Sequence, residues 1–202
     1  MDLIVIRTKL ESIIANELLD KNIISKKYLL IELYQHSINE DDDSVYRYYS
    51  KLSKKAVTTL KVIESNGMIQ GFTKYLIALL AVKFTRGNLF YAGITNYPIA
   101  LSIKFLLFKK IFTFDNGNVN IDSTMKGTYH KNNILQGNSI KRKIARTIFP
   151  KGCNNFIATK IIFHFSIFHN YKNITDINKT IPISINWKKY LAAEDRLLAK
   201  KN

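Results

Sequence analysis

Short apolar runs and stretches with a helical repeat alternate along the chain as far as Asp115. Asp2 to Ile6 is a compact apolar run, the pattern of a buried strand. Thr8-Lys-Leu-Glu11 follows it at capping-box spacing and predicts a helix running to about Asp20. Tyr28 to Leu33 predicts the second strand. The acidic stretch Glu40 to Asp43 suits the positive end of a helix dipole, and Val45, Tyr48, Tyr49 and Leu52 continue it at helical spacing. A further apolar helix is predicted over roughly Gly71 to Phe84. Asn88 to Ala92 predicts the third strand. Thr95 or Asn96 then caps a helix with Pro98 in its first turn, ending near Leu106. Lys110 to Phe114 predicts the fourth strand.

Strands alternating with helices imply βαβ units with right-handed crossovers. The expected fold class is therefore α/β, a Rossmann-like parallel sheet flanked by helices. All four strands then end on one edge. The turns gathered there hold Arg7 and Thr8, Gln35 and His36, Thr95 and Asn96, and Asp115 and Asn116. Open α/β sheets bind ligands outside those strand ends. No G-x-G-x-x-G is present, so no dinucleotide is expected on the first turn.

Beyond Gly117 the texture changes. Asn118 to Asn138 reads as a polar loop. Ser139 to Ile148 predicts a helix whose apolar stripe is Ile140, Ile144, Ala145 and Ile148. Its Lys141, Arg142, Lys143 and Arg146 read first as a solvated face, with contact to an anionic substrate or membrane as the functional alternative. Ile161 to Phe168 alternates like a strand and carries His164 and His169. Neither histidine has a partner at metal-ligand spacing, so no metal or cofactor is expected. Trp187 to Asn202 reads as a basic amphipathic helix or a tail.

Composition narrows the classes. With 47% hydrophobic and 12% aromatic residues among 202, the chain can bury a core. Lys and Arg number 31 against 15 Asp and Glu, a formal charge of +16. That balance favours anionic partners: nucleic acid, lipid head groups, phosphorylated glycans or nucleotide sugars. The bias towards Ile, Asn and Lys also fits an AT-rich coding sequence. No nucleic-acid motif or aromatic–basic sheet signature occurs, so nucleic acid is not an expected partner. A single cysteine, Cys153, excludes an internal disulfide and suits a reducing compartment. There is no signal-peptide pattern. The longest apolar run, Tyr75 to Val82, falls short of the about 20 residues that span a bilayer. The expectation is a cytoplasmic protein, with peripheral contact at the inner membrane as its membrane-facing variant.

Candidate chemistry centres on Ile111-Phe-Thr-Phe-Asp115-Asn116-Gly117-Asn118, which puts one carboxylate at the carboxyl end of a strand. Asp115 is placed there for base chemistry. The Asp-Asn-Gly sequence also makes an ordinary turn.

Thr113-Phe-Asp115-Asn116-Gly117-Asn118-Val119-Asn120-Ile121 resembles the T-F-D-D-G-x-x-N-hydrophobic segment of glycosyltransferase family 52, bacterial sialyltransferases that decorate lipooligosaccharide. Gly137-Asn-Ser-Ile-Lys-Arg142 and Ala145-Arg146 resemble the family's N-G-T-I-K-R and A-R segments. Tyr46 to Tyr49, Leu89 to Ala92 and Phe165 to Phe168 fall in the family's order. The resemblance implies a two-domain GT-B enzyme, with the acceptor site in its N-terminal half and the donor site in its C-terminal half. It implies transfer of sialic acid from CMP-sialic acid to a terminal galactose, inverting and metal-independent, and it suggests a homodimer. Residues 1–150 would form the Rossmann-like acceptor-side domain, and 151–202 its remainder and the start of a linker.

On that resemblance Asp115 is the catalytic base, and Gly117 matches the motif glycine. Thr8, Asn96 and Asn116 join Gly117 as substrate-binding candidates on the same edge. Two departures stand out. Asn116 replaces the second acid and lacks its charge. No His-Pro motif occurs, since His36, His130, His164 and His169 precede Ser, Lys, Phe and Asn. The expectation is a truncated enzyme whose donor-binding half is absent and which is inactive alone. Asp115→Ala is expected to cause a large loss of transfer in an intact version with little loss of fold. The competing class is a non-catalytic basic protein that binds an acceptor, a membrane or nucleic acid.

Overall fold

The computed structural model describes residues 1–34, 51–63, 80, 87–92, 97–105, 108, 110–116, 143, 146–171 and 177–190. Seven strands form one sheet: β1 (Asp2–Ile6), β2 (Tyr28–Tyr34), β3 (Thr58–Ile63), β4 (Leu89–Ala92), β5 (Ile111–Phe114), β6 (Phe163–Ser166) and β7 (Thr180–Pro182). Their spatial order is β3-β2-β1-β4-β5-β6-β7. Every neighbouring pair is parallel. Among the helices described from end to end are α1 (Lys9–Asp20), α2 (Tyr97–Phe105) and α3 (Cys153–Lys160), which flank the sheet.

The fold is α/β and doubly wound. Successive strand residues point to opposite faces, so each strand feeds two cores. Ile4, Ile6, Leu30, Phe90 and Phe114 pack with Ile14 and Leu18 of α1. Leu3, Val5, Ile31, Leu89 and Ile111 pack with Ile99 and Ile103 of α2 and Ile157 of α3. Helices on both faces explain why β1 and β2 are buried along their whole length. The strand order reverses between β1 and β4, the switch point where such sheets open a crevice.

Local chemistry sets the element ends. Thr8 caps α1: its Oγ1 accepts from Glu11 N at 3.3 Å, and Glu11 Oε2 accepts from Thr8 N at 3.3 Å. At the other end Asn22 sits at φ 56, Ile23 N donates to Leu18 O at 2.9 Å and Asn22 N to Leu19 O at 3.0 Å. That is a Schellman stop with asparagine in the left-handed position. Asp2 holds the amino edge together, accepting from Ser25 N at 2.8 Å and from Asn88 N at 3.1 Å.

All four expected strands are present, and β2 extends one residue further, to Tyr34. The alternating Ile161–Phe168 stretch does contain a strand, β6. Two strands were not anticipated. β3 and β7 are the edges of the described sheet, where one side of the ladder faces no neighbour among the described residues and the apolar pattern is diluted. Lys61 interrupts β3, and β7 is three residues ending in Pro182, which an edge strand tolerates. β6 and β7 make residues beyond 150 part of the same sheet. α2 begins one residue before Pro98, as its spacing predicted. The helices expected over Glu40–Leu52, Gly71–Phe84 and Ser139–Ile148 lie largely outside the described residues, although 51–55, 80, 143 and 146–148 are helical. Of the Trp187–Asn202 stretch, 187–190 is helical and the rest lies outside the description. Among the described residues no helix is long and apolar enough to cross a membrane.

Candidate active site

β5 and β6 lie side by side, with Thr113 paired to His164 and Phe114 to Phe165. The two-residue repeat puts Thr113 and Asp115 on one face of β5 and its extension, and His164 and Ser166 on the same face of β6. Four polar side chains therefore meet at the carboxyl edge. Each is 0% exposed.

They form one closed network. His164 Nε2 lies 3.0 Å from Asp115 Oδ1, and His164 Nδ1 lies 2.8 Å from Thr113 Oγ1. Ser166 Oγ donates to Asp115 Oδ2 at 2.9 Å, and Ile167 N donates to the same oxygen at 2.7 Å. Ser166 Oγ in turn accepts from Phe168 N at 3.0 Å. An ionised carboxylate only accepts. Facing such a carboxylate Nε2 is the donor, and in the neutral form of the ring Nδ1 then accepts from the Thr113 hydroxyl. Buried polar groups are costly unless paired, and this network pairs all four side chains. A carboxylate offers about four lone-pair positions. Among the described residues Asp115 uses two on Oδ2 and one on Oδ1, which leaves one position on Oδ1.

Thr8 sits on the same edge, at the end of β1, but its hydroxyl caps α1. β4 lies between β1 and β5, so Thr8 and Asp115 stand about two strand spacings, or ~10 Å, apart. The N-terminus of α1 is also taken. Glu11 Oε2 accepts from Arg7 N at 2.5 Å as well as from Thr8 N. A phosphate there would have to displace that carboxylate, in keeping with the missing glycine motif. Burial pushes the Glu11 carboxyl up to about 7, against the opposing pull of the Arg7 amide and charge and of Thr8. Asn116 is half-buried next to Asp115. Asn96 and Gly117 lie outside the described residues, as do Gln35, His36 and Thr95.

Sequence reasoning missed the partners of Asp115. The signal was Phe163-His164-Phe165-Ser166, where alternation puts the histidine and serine on one face. Only the placement of β6 beside β5 turns that face towards Asp115. Two other buried polar groups were missed. Glu32, 1% exposed, accepts from Tyr34 Oη at 2.7 Å through Oε2. Burial raises its carboxyl, opposed by the Tyr34 hydrogen bond and the Lys61 charge. Tyr91 is fully buried, and its hydroxyl has no hydrogen-bond partner among the described residues. Cys153 is half-buried, and burial pushes its thiol up to about 12, which suits an inert thiol rather than a nucleophile. Among the described residues no group of His, Cys, Asp and Glu is arranged to hold a metal ion.

Fold and site together define a doubly wound α/β protein with a buried Thr–His–Asp–Ser network at the carboxyl edge of its sheet. The chain matches no protein-family model and no curated protein.

Proposed function

We propose that this chain is the acceptor-side, Rossmann-like part of a GT-B glycosyltransferase similar to family 52. In this reading it serves transfer of sialic acid from CMP-sialic acid to the terminal galactose of a lipooligosaccharide, at the cytoplasmic side of the inner membrane. Asp115 is the base. Its Oδ1 takes the proton of the acceptor hydroxyl, the hydroxyl oxygen bonds to the anomeric carbon, and CMP leaves with the electron pair of the broken bond. A positioned base of this kind contributes typically about 10²–10⁴-fold. The donor carbon gains oxocarbenium character, which a nearby carboxylate stabilises.

The observation that carries the reading is the setting of Asp115. It stands at the end of a parallel strand, three donors fix its plane, and among the described residues one lone-pair position on Oδ1 is left over. A base needs that orientation and that opening. The carboxylate is fully buried, so the mechanism requires its cover to move aside when the acceptor arrives. The test is saturation-transfer NMR on the folded chain with a galactose-terminated oligosaccharide. Saturable binding is expected; a chain that ignores the glycan at millimolar concentration has no acceptor site.

The same burial favours a second reading. A carboxylate with three donors and no exposed surface also serves as a purely structural tie between β5 and β6. The chain would then be a basic, non-catalytic protein that binds an acceptor, a membrane or nucleic acid. Asp115→Asn in a transfer-competent enzyme separates the two, because only the catalytic reading requires the charge.

A further inference from the structure

We propose that the amino edge of the sheet is a membrane-contact surface, which docks on a bilayer carrying anionic lipid. This gives the expected peripheral contact a place on the fold, and it does not depend on the transfer reading.

The strands are all parallel, so they begin on one edge. The turns that lead into them carry exposed apolar side chains. Ile23 lies in the turn between α1 and β2, Val57 immediately precedes β3, Ile162 immediately precedes β6, and Phe163 is the first residue of β6. These are four of the seven exposed large apolar side chains among the described residues. Val57 is the most open of the four, at 59% exposed. Backbone bonds fix their positions on the rim: Ile23 N donates to Leu18 O, Val57 N to Tyr28 O and Ile162 N to Ile111 O, each at 2.9 Å. A single exposed apolar side chain is ordinary. Several on one rim, among charges of one sign, mark a contact surface.

The charges say what it contacts. Lys26 and Lys27 precede β2, Lys54 and Lys55 end the helical turn before β3, Lys110 precedes β5, and Lys160 ends α3 just before β6. All of these lysines are exposed. Among the described residues the acids near this rim are engaged. Asp2 is buried and accepts from Ser25 N and Asn88 N, and Asp20 pairs with Lys189 at 2.6 Å. In the order of the sheet Val57 and Ile162 mark two apolar ends, with Lys27 and Lys110 between them. The separation from β3 to β6 is about 24 Å at the usual strand spacing.

A bilayer with anionic lipid matches both features. The apolar side chains enter the headgroup boundary, while the lysines lay their stems on it and hold their ammonium groups at the lipid phosphates. Other occupants fit this rim less well. A second copy would bring like charge against like. Nucleic acid would meet the lysines, but Ile23, Val57 and Ile162 offer no ring on which a base can stack. Docked by this rim, the chain turns its carboxyl edge, with Asp115, away from the bilayer.

The test is co-sedimentation of the full chain with vesicles of phosphatidylcholine, alone or mixed with phosphatidylglycerol, at constant salt. Wild type is expected to bind the anionic vesicles saturably and the neutral ones at least about a hundredfold more weakly. Lys26→Gln with Lys27→Gln should weaken anionic binding about twentyfold, from roughly fivefold per lysine. Val57→Ser with Ile162→Ser keeps the net charge and should weaken it about tenfold. Lys9→Gln with Lys151→Gln removes as much charge at the ends of α1 and α3 away from the rim, and should weaken it less than about twofold. Thermal unfolding checks that each variant is folded; Val57→Ser alone, with about a threefold loss, serves if the double variant is not. Equal losses from the two lysine pairs, full binding by the folded apolar variants, or equal binding to neutral vesicles overturns the proposal. Self-association or duplex-DNA binding that Val57→Ser with Ile162→Ser abolishes assigns the rim to another occupant and overturns it too. The vesicles carry no glycan, so failure here leaves the acceptor reading standing.

Discussion

Replacing Asp115 by alanine and by asparagine should give very different costs, and the difference follows from the network. Alanine removes the acceptor of three donors: His164 Nε2, Ser166 Oγ and Ile167 N. Each buried donor left unmet costs about 1–3 kcal/mol. Ser166 can rotate its hydroxyl, and Ile167 is only partly buried, so the sum falls to about 3–5 kcal/mol. That is a large part of the 5–15 kcal/mol typical of a domain. The expectation that Asp115→Ala spares the fold is therefore reversed. Asparagine behaves otherwise. Its carbonyl can take the place of Oδ2 and accept from Ser166 and Ile167. Its amide then faces His164 Nε2 and donates to it. The imidazole hydrogen moves to Nδ1, which donates to Thr113 Oγ1. His164, Ser166 and Ile167 all keep a partner, while the second amide hydrogen and the Thr113 hydroxyl hydrogen are left without an acceptor among the described residues, so the cost is about 1–2 kcal/mol. Urea unfolding of the three proteins measures the costs, and ¹⁵N imidazole shifts of His164 report the tautomer. Equal losses for alanine and asparagine would refute the reasoning, as would an Nε2–H tautomer retained in Asp115→Asn.

Two further outcomes can be checked. Glu11 is raised in the folded state, to about 7 from an ordinary 4.5. The stability it contributes is thus fully present below about pH 4.5 and is lost as pH rises through 7. Measured against Glu11→Gln, which keeps an acceptor for the Arg7 and Thr8 amides, wild type should lose about 3 kcal/mol between pH 4.5 and 8; parallel urea-midpoint curves would remove Glu11 from the account. Cys153, pushed up to about 12, should react with iodoacetamide at pH 8 about a thousandfold more slowly in the folded chain than after denaturation, and a native rate near that of a free thiol would contradict its burial.

Much of the fold could be read from residue order alone. β1, β2, β4 and β5 were legible because helices cover both faces and leave unbroken apolar runs. α1 was legible because Thr8 and Glu11 announce its start. β3 and β7 were not, because an edge position removes the pressure for a continuous run: Lys61 and Pro182 are acceptable there and disguise the strands. The site divides in the same way. Asp115 was visible as a carboxylate at the end of an apolar run, a local feature. His164 is 49 positions away and Ser166 is 51. Their role depends on β6 docking beside β5 in one register, and no local pattern states which strands are neighbours. Thr8 was placed on the right edge, but the same capping box that located α1 also engages its hydroxyl.

The central claim is that a galactosyl acceptor meets the Asp115 carboxylate. The most direct measurement is an amide-resolved titration of the folded chain with a galactose-terminated oligosaccharide. The account predicts saturable shifts at Asn116 and Ile167, the residue after the carboxylate and the amide bound to it, and the same binding by Asp115→Asn. Shifts confined to other parts of the chain, or none at all, would contradict it.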